Sequence, residues 1–271
     1  MKLSRVFRKT LKKSLKVYWW RYEYPNKLNF GDELTPILIQ KLFGYRTVWA
    51  EPSSCELAGA GSIIEILQQL SDQHHLEIWG SGFIKEGPVN ASPSLSFCAV
   101  RGLLSKERVT NKNVALGDPG LLMGMAFPEF NKSNKKHKVG LIPHYIDQEH
   151  PIISQLSSRP GFKIIDVLDP PQIVAEEINS CELILSSSMH GLIVSDSYNV
   201  PNYWLPLNEL TGGDYKFKDY YSVFNISPPK VVATDVLQDS STILIQELTD
   251  KYTPRKELPE IQQRLLKSFP F

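Results

Sequence analysis

The sequence predicts an α/β protein made of two parallel-sheet halves, and three observations predict it. Short apolar runs alternate with stretches of helical period along most of the chain. Nearly every apolar run stops at Gly, Ser or a polar turn. A Lys- and Asn-rich run, NKSNKKHK at 131–138, interrupts the alternation once, and the alternation then resumes. The length of 271 residues with 42% apolar content suffices for one large domain or two small ones.

The elements follow in order. In residues 1–22, Leu3, Val6, Phe7, Leu11, Leu15, Tyr18, Trp19 and Tyr22 keep helical spacing with Lys and Arg on the other face, which predicts a basic amphipathic helix. Asn29-Phe30-Gly31-Asp32 then precedes an amphipathic helix over Glu33–Phe43, with Asp32 placed to cap it. Strands are predicted at Thr47–Ala50, Leu57–Ala60, Leu76–Trp79, Phe97–Val100 and Val114–Leu116, with a helix at Ser62–Leu70. Beyond the polar run, strands are predicted at Val139–Ile142, Lys163–Val167, Leu183–Leu185 and Tyr203–Leu205. Helices are predicted from Pro170-Pro171 to Ser180, over Met189–Tyr198, Leu237–Thr249 and Glu257–Lys267. The expected organisation is a basic arm over 1–25, a Rossmann-like domain over 26–135, and a second over 136–271 that includes closing helices, the two domains facing a cleft.

Charge and cysteine content narrow the class. The 30 Lys+Arg nearly balance 29 Asp+Glu, but eight of the bases lie in residues 1–22, which hold no acid. The remaining 22 bases face 29 acids, so an acidic body follows a basic segment. Such a body disfavours nucleic acid, and no recognition motif accompanies the bases. The basic segment instead suits peripheral contact with an anionic membrane, or docking on the protein's own body. Cys55, Cys98 and Cys181 are too scattered for a disulfide framework or zinc site, and Cys98 and Cys181 read as small buried hydrophobes. No metal is expected. The charges spread through the first 20 residues do not make a secretory leader, and no apolar stretch approaches the roughly 18–20 residues of a spanning helix. The expected location is cytoplasmic, at most peripheral on the inner face of the membrane.

Ligands of open parallel sheets bind beyond the carboxyl ends of the strands, so the turns there nominate the site. They read Gly59-Ala60-Gly61-Ser62, Gly80-Ser81-Gly82, Val100-Arg101-Gly102, Gly117-Asp118-Pro119-Gly120, Pro143-His144-Tyr145 and Ser186-Ser187-Ser188-Met189-His190-Gly191. Small residues admit a ligand to the backbone, and N–H groups at helix starts favour anions. Neither a G-x-x-x-x-G-K-[ST] loop nor an intact G-x-G-x-x-G is present. The candidate binding residues are Asn29, Asp32, Gly61, Ser62, Ser81, Arg101, His144, Ser187, Ser188, Met189 and Lys216. His190, at a helix start, is the candidate proton carrier, the bland alternative being a structural histidine behind an N-capping serine. Arg101 can grip a carboxylate or phosphate, or pair with an acid such as Asp118. Tyr215–Tyr221, behind Gly212-Gly213, is either a flap that brings Lys216 to an anion or a surface loop.

Taken in order, Asn29–Asp32, Gly59–Ser62, Trp79-Gly80-Ser81-Gly82-Phe83, Val100–Gly102, Gly117–Gly120, Val139–Tyr145 and Ser186–Ile193 resemble the polysaccharide pyruvyl transferases, from about residue 26 to about 222. The resemblance implies a glycosyltransferase-B-like pair of Rossmann-like domains. It also implies transfer of an enolpyruvyl unit from phosphoenolpyruvate to two hydroxyls of a glycan, giving a pyruvate ketal, with no metal or nucleotide cofactor. It places the acid/base on His190 and an anion ligand on Arg101. Many members carry an arginine two residues before the histidine, where this chain has Ser188. The anion grip then falls to Arg101, His144, Lys216 and helix-start N–H groups. Two other readings stay open: a nucleotide-sugar glycosyltransferase of the same architecture, and a non-catalytic, membrane-attached glycan-binding subunit.

Overall fold

A computed structural model describes residues 12–21, 29–68, 75–89, 92–132, 134–238 and 242–271. Six strands form the first sheet: β1 (Lys12–Tyr18), β2 (Tyr45–Trp49), β3 (Leu57–Ala58), β4 (Leu76–Ser81), β5 (Leu95–Val100) and β6 (Ala115–Leu116), in the order β2-β1-β3-β4-β5-β6. Four form the second: β7 (His137–Ile142), β8 (Phe162–Ile164), β9 (Cys181–Ser186) and β10 (Asn202–Trp204), in the order β10-β9-β7-β8. Every pairing within these sheets is parallel. Parallel strands need crossover connections, and helices supply many of them here. The chain is thus an α/β protein with two sheet-bearing regions of Rossmann-like character, as the alternation predicts.

The amphipathic helix expected over residues 1–22 is corrected where the chain is described. Residues 12–18 are a strand, and an interior one, paired with β2 on one side and β3 on the other. The sequence is ambiguous here for a physical reason. Leu11, Leu15, Tyr18 and Trp19 fit a period of 3.6, whereas Leu15, Val17 and Trp19 fit a period of 2 with Ser14 and Lys16 exposed between them. The run Val17-Tyr18-Trp19 is β-branched and aromatic, and a neighbour on each edge satisfies its backbone. Residues 1–11 and Tyr22 of that expectation lie outside the described residues.

Other elements stand close to expectation. The helix at Leu34–Leu38 continues as a π-helical turn over Ile39–Phe43 and stops at Gly44, whose φ is +75°. The segment expected to be helical over Leu237–Thr249 falls in two helices, Ala233–Gln238 and Thr242–Lys251, with residues 239–241 outside the described set. Cys55 and Cys181 are buried and, like Cys98, form no disulfide, while Cys98 is only partly buried, its Sγ donating to Glu77 Oε2 at 2.9 Å.

One apolar core runs through both sheet regions. At its centre the helix Met189–Ser197 has all of its residues buried, packed on the turn Pro119–Leu122 that follows β6. Backbone and side-chain bonds also tie the regions. Phe30 N–H donates to Val167 O at 2.8 Å. The closing helix Leu258–Lys267 returns to the first sheet, where Trp79 Nε1 donates to Leu265 O at 3.0 Å. Phe269 stacks on Phe43 at 3.8 Å. The turns after β3, β7 and β9 consequently open on a common cavity.

Candidate active site

The cavity has a volume of about 310 Å³. It is lined by nine of the residues the sequence nominates: Asn29, Asp32, Gly61 and Ser62 from the first half, and His144, Ser188, Met189, His190 and Lys216 from the second. Trp20, Ile63, Ile66, Ile84 and Tyr145 complete the wall.

His190 is delivered by β9 and the helix behind it. Ser186 Oγ accepts the Ser188 N–H at 3.0 Å and approaches Ile142 O at 3.0 Å, so the turn is locked to β7. Ser188 takes the N-cap position with extended backbone, but its side chain makes no capping bond and it lines the cavity. Gly191 is required by closeness: a Cβ there would meet Ser186 Oγ and, at 3.0 Å, Ile142 Cγ2. Gly31 packs on the imidazole itself, and a Cβ at Gly31 would clash with His190 Nδ1 and Cγ. Phe30 lies edge-on to the ring at 6.4 Å. His190 Nε2 is turned inward, 3.8 Å from Asp118 Oδ2.

The loop before the first helix is held by Asn29, whose Oδ1 accepts the Gly31 N–H at 2.9 Å. The expected capping role of Asp32 is corrected. Glu33 occupies the N-cap without a side-chain capping bond, its Oε1 accepting from Trp19 Nε1, and Asp32 instead faces the cavity. Burial pushes the Asp32 carboxyl up to about 7, with Glu33 adding to the rise and His190 and Lys216 opposing it.

Tyr215–Tyr221 is neither flap nor surface loop but a helix whose Tyr215, Phe217, Tyr220 and Tyr221 are buried. Its first turn carries Lys216 into the cavity. Burial lowers the Lys216 ammonium to about 8, and the nearby Arg101 charge acts in the same direction against Asp32 and Asp147. Burial likewise lowers His144 to about 4, helped by Lys216, so this ring is neutral near pH 7. Its Nδ1 accepts from Ile146 N–H at 3.5 Å, which leaves Nε2–H as a donor.

Three nominated residues do not line the cavity. Arg101 is fully buried. Its Nε pairs with Asp219 Oδ2 at 2.9 Å, Nη2 donates to Phe83 O at 2.6 Å and Nη1 to Ser62 Oγ at 2.5 Å. The paired acid is therefore Asp219 rather than Asp118, and Arg101 does not itself face the cavity but bonds to Ser62 in its wall. Because Ser62 Oγ accepts from Arg101, its own O–H remains to donate into the cavity. Ser81 is buried and donates to Gly61 O at 2.8 Å. Ser187 donates to Asp147 Oδ2 at 2.5 Å and accepts the His144 N–H at 2.8 Å, fixing the His144 turn from behind.

Sequence reasoning missed Trp20 and Tyr145, each 39% exposed at the wall. Trp20 sits just past the end of β1, so it obeys the strand-end rule once β1 is recognised as a strand. Tyr145 follows His144 and packs its ring against it, tilted, with centroids 4.3 Å apart. No local signal marks Ile63, Ile66 or Ile84.

A lysine, a neutral histidine donor, two serine hydroxyls and a helix start thus face one space, with a protonatable carboxyl and a second histidine beside them. Such a set can hold an anion beside groups able to exchange protons. The chain belongs to the polysaccharide pyruvyl transferase family: residues 89–209 match that family's pattern. It is an enzyme that transfers a pyruvyl group from phosphoenolpyruvate to a polysaccharide. It is 34% identical to an uncharacterized protein of Acanthamoeba polyphaga mimivirus over 210 residues, covering 73% of this chain and 72% of that one. It is 29% identical to the succinoglycan biosynthesis protein ExoV of Rhizobium meliloti over 195 residues, covering 69% of this chain and 58% of ExoV. Among solved structures, a protein of uncharacterized function from Klebsiella pneumoniae aligns with a TM-score of 0.45 at 15% identity, over 80% of this chain and 92% of that one.

Proposed function

We propose that the cavity binds phosphoenolpyruvate and one sugar of the acceptor, and that His190 carries the proton traffic that converts the enolpyruvyl group into a cyclic ketal. The observation that carries this reading is the convergence of Lys216, His144, Ser62, Ser188 and His190, from widely separated segments, on one small space. Phosphoenolpyruvate has a carboxylate and a phosphate, and each needs charge or N–H donors. Lys216 and the N–H groups opening the helix at Met189 supply one pocket; His144 Nε2–H and the Ser62 hydroxyl supply the other. Together they stand in for the family arginine replaced by Ser188. Protonation of the methylene carbon makes C2 electrophilic, a sugar hydroxyl attacks, phosphate leaves, and a neighbouring hydroxyl closes the ketal. Trp20 and Tyr145 at the wall suit the apolar face of a sugar ring.

The finer architecture belongs to the same proposal. A glycosyltransferase-B-like pair of domains, divided near 131–138, is supported by the two parallel sheets and by a cavity that draws on both. Cytoplasmic location at an anionic membrane rests on the bases that precede β1. No helix among the described residues is long and apolar enough to cross a membrane.

The test incubates the protein with phosphoenolpyruvate and candidate oligosaccharides, following phosphate release and product mass. The expected product gains the mass of pyruvic acid less one water. His190→Ala should abolish that gain with an unchanged circular dichroism spectrum. Wild-type turnover by this folded variant would remove His190 from the chemistry.

A further inference from the structure

We propose that Asp118 is the positioning residue of His190: its free carboxylate oxygen keeps a proton on Nε2 and so makes Nδ1 the nitrogen that exchanges protons at the cavity. The inference rests on the assignment of His190 as the proton carrier.

The geometry is specific. Asp118 Oδ2 and His190 Nε2 lie 3.8 Å apart, both are sealed from solvent, and neither has a hydrogen-bond partner. The other carboxylate oxygen is occupied, since Oδ1 accepts the Gly120 N–H at 2.8 Å and fixes the group at the turn after β6. A buried carboxylate oxygen without a donor is costly. This one has almost no solvent-exposed surface, and His190 Nε2 faces it at 3.8 Å. A shift of the ring by roughly 1 Å brings the pair to ordinary hydrogen-bond length. Catalytic hydrogen bonds are commonly long before substrate binds and tighten with it.

Gly31 packs closely against one side of the ring and Phe30 lies edge-on to it, so both hold the imidazole in this orientation. Asp118 comes from the first half and His190 from the second, so the pair also spans the two sheet regions. An acid that holds one imidazole nitrogen fixes the tautomer and stabilises the imidazolium.

The proton balance then closes. The imidazolium gives its Nδ1 proton to the methylene carbon of phosphoenolpyruvate, and neutral Nδ1 takes a proton from the attacking hydroxyl. The second hydroxyl closes the ketal as its proton leaves on phosphate. The Nε2 proton stays on His190 throughout, facing the Asp118 carboxyl group.

The test is nitrogen NMR of the full chain labelled at histidine, with kinetics on the same samples. In the wild type, neutral His190 should carry its proton on Nε2; a proton on Nδ1 overturns the proposal without any variant. Asp118→Asn keeps an acceptor for Gly120 but presents an N–H₂ to Nε2. It should move the proton to Nδ1 and lower kcat about a hundredfold or more, with KM for phosphoenolpyruvate little changed. An unmoved tautomer, or kcat within a few-fold of wild type, overturns the role of Asp118. His190→Ala separates the two ideas. If that variant still transfers pyruvate, the catalytic assignment of His190 has failed, while the tautomer measurement still reports on the pair.

Discussion

If phosphoenolpyruvate binds as proposed, Lys216 and Asp32 should make its binding sensitive to pH in one direction. Lys216 is charged below about 8 and loses its charge above it. Asp32 is neutral below about 7 and gains a negative charge above it. Raising the pH therefore removes a cation and adds an anion in the same cavity. Bound donor, being anionic, holds the proton on Lys216, so binding takes up protons as the pH passes through this range. Calorimetric titration should show affinity falling steadily from pH 6.5 to pH 9, and Lys216→Met should weaken binding at pH 6.5 and flatten the profile. A wild-type affinity constant across that range would rule out both groups as donor-facing. At this scale the sequence was informative. Rules about strand ends and helix starts picked out His190, His144, Ser62 and Ser188, because those rules concern backbone geometry that each local run carries within it. Arg101 misled for the opposite reason. Its partner Asp219 is 118 residues away in the chain, and nothing near Arg101 announces it.

The helix Tyr215–Tyr221 shows what an element gains from such a partner. Asp219 on this helix accepts from Arg101 on one side and from Ser105 on the other, at 2.8 Å from the backbone N–H and 2.6 Å from the hydroxyl. The pair clamps the helix to the end of β5 and, through Ser62, to the cavity wall. Lys216 on the same helix is thereby set in place. Arg101→Met leaves Asp219 buried without its cation and should cost about 3–5 kcal/mol of stability, read from urea unfolding. KM for phosphoenolpyruvate should rise in the same variant, because Ser62 and Lys216 lose their support. A loss below about 1 kcal/mol would show that the pair is incidental. The sequence suggests a flap or a surface loop here because Lys, Asp and Gly-Gly around the segment look like turn chemistry. Four aromatics in seven residues were the contrary signal, and burial settled the matter. β1 was misread through the same kind of ambiguity, its apolar positions fitting two periods, and only sheet neighbours on both edges resolve it.

For the whole molecule, the division of charge takes on a different meaning. The +8 of residues 1–22 is not one detachable arm, because Lys12, Lys13 and Lys16 belong to an interior strand. Truncation should reveal the boundary. Removal of residues 1–11 should leave a folded, active protein with reduced binding to anionic vesicles, whereas removal of 1–22 should give insoluble chain. Equal vesicle binding by the shorter truncation would end the membrane proposal; a soluble, active protein lacking 1–22 would contradict the central place of β1. By itself the sequence determined the α/β class, the alternation of strands and helices, the family and most of the cavity wall. These follow from local periodicity and from turn residues whose backbone requirements are met wherever they occur. Only the tertiary structure decided that β1 is a strand, that Arg101 answers to Asp219, that Asp32 faces the cavity and that Asp118 meets His190. Each of these depends on burial and on partners distant in the chain, and the free energy of a buried charge or an unpaired strand edge is fixed by what lies across from it.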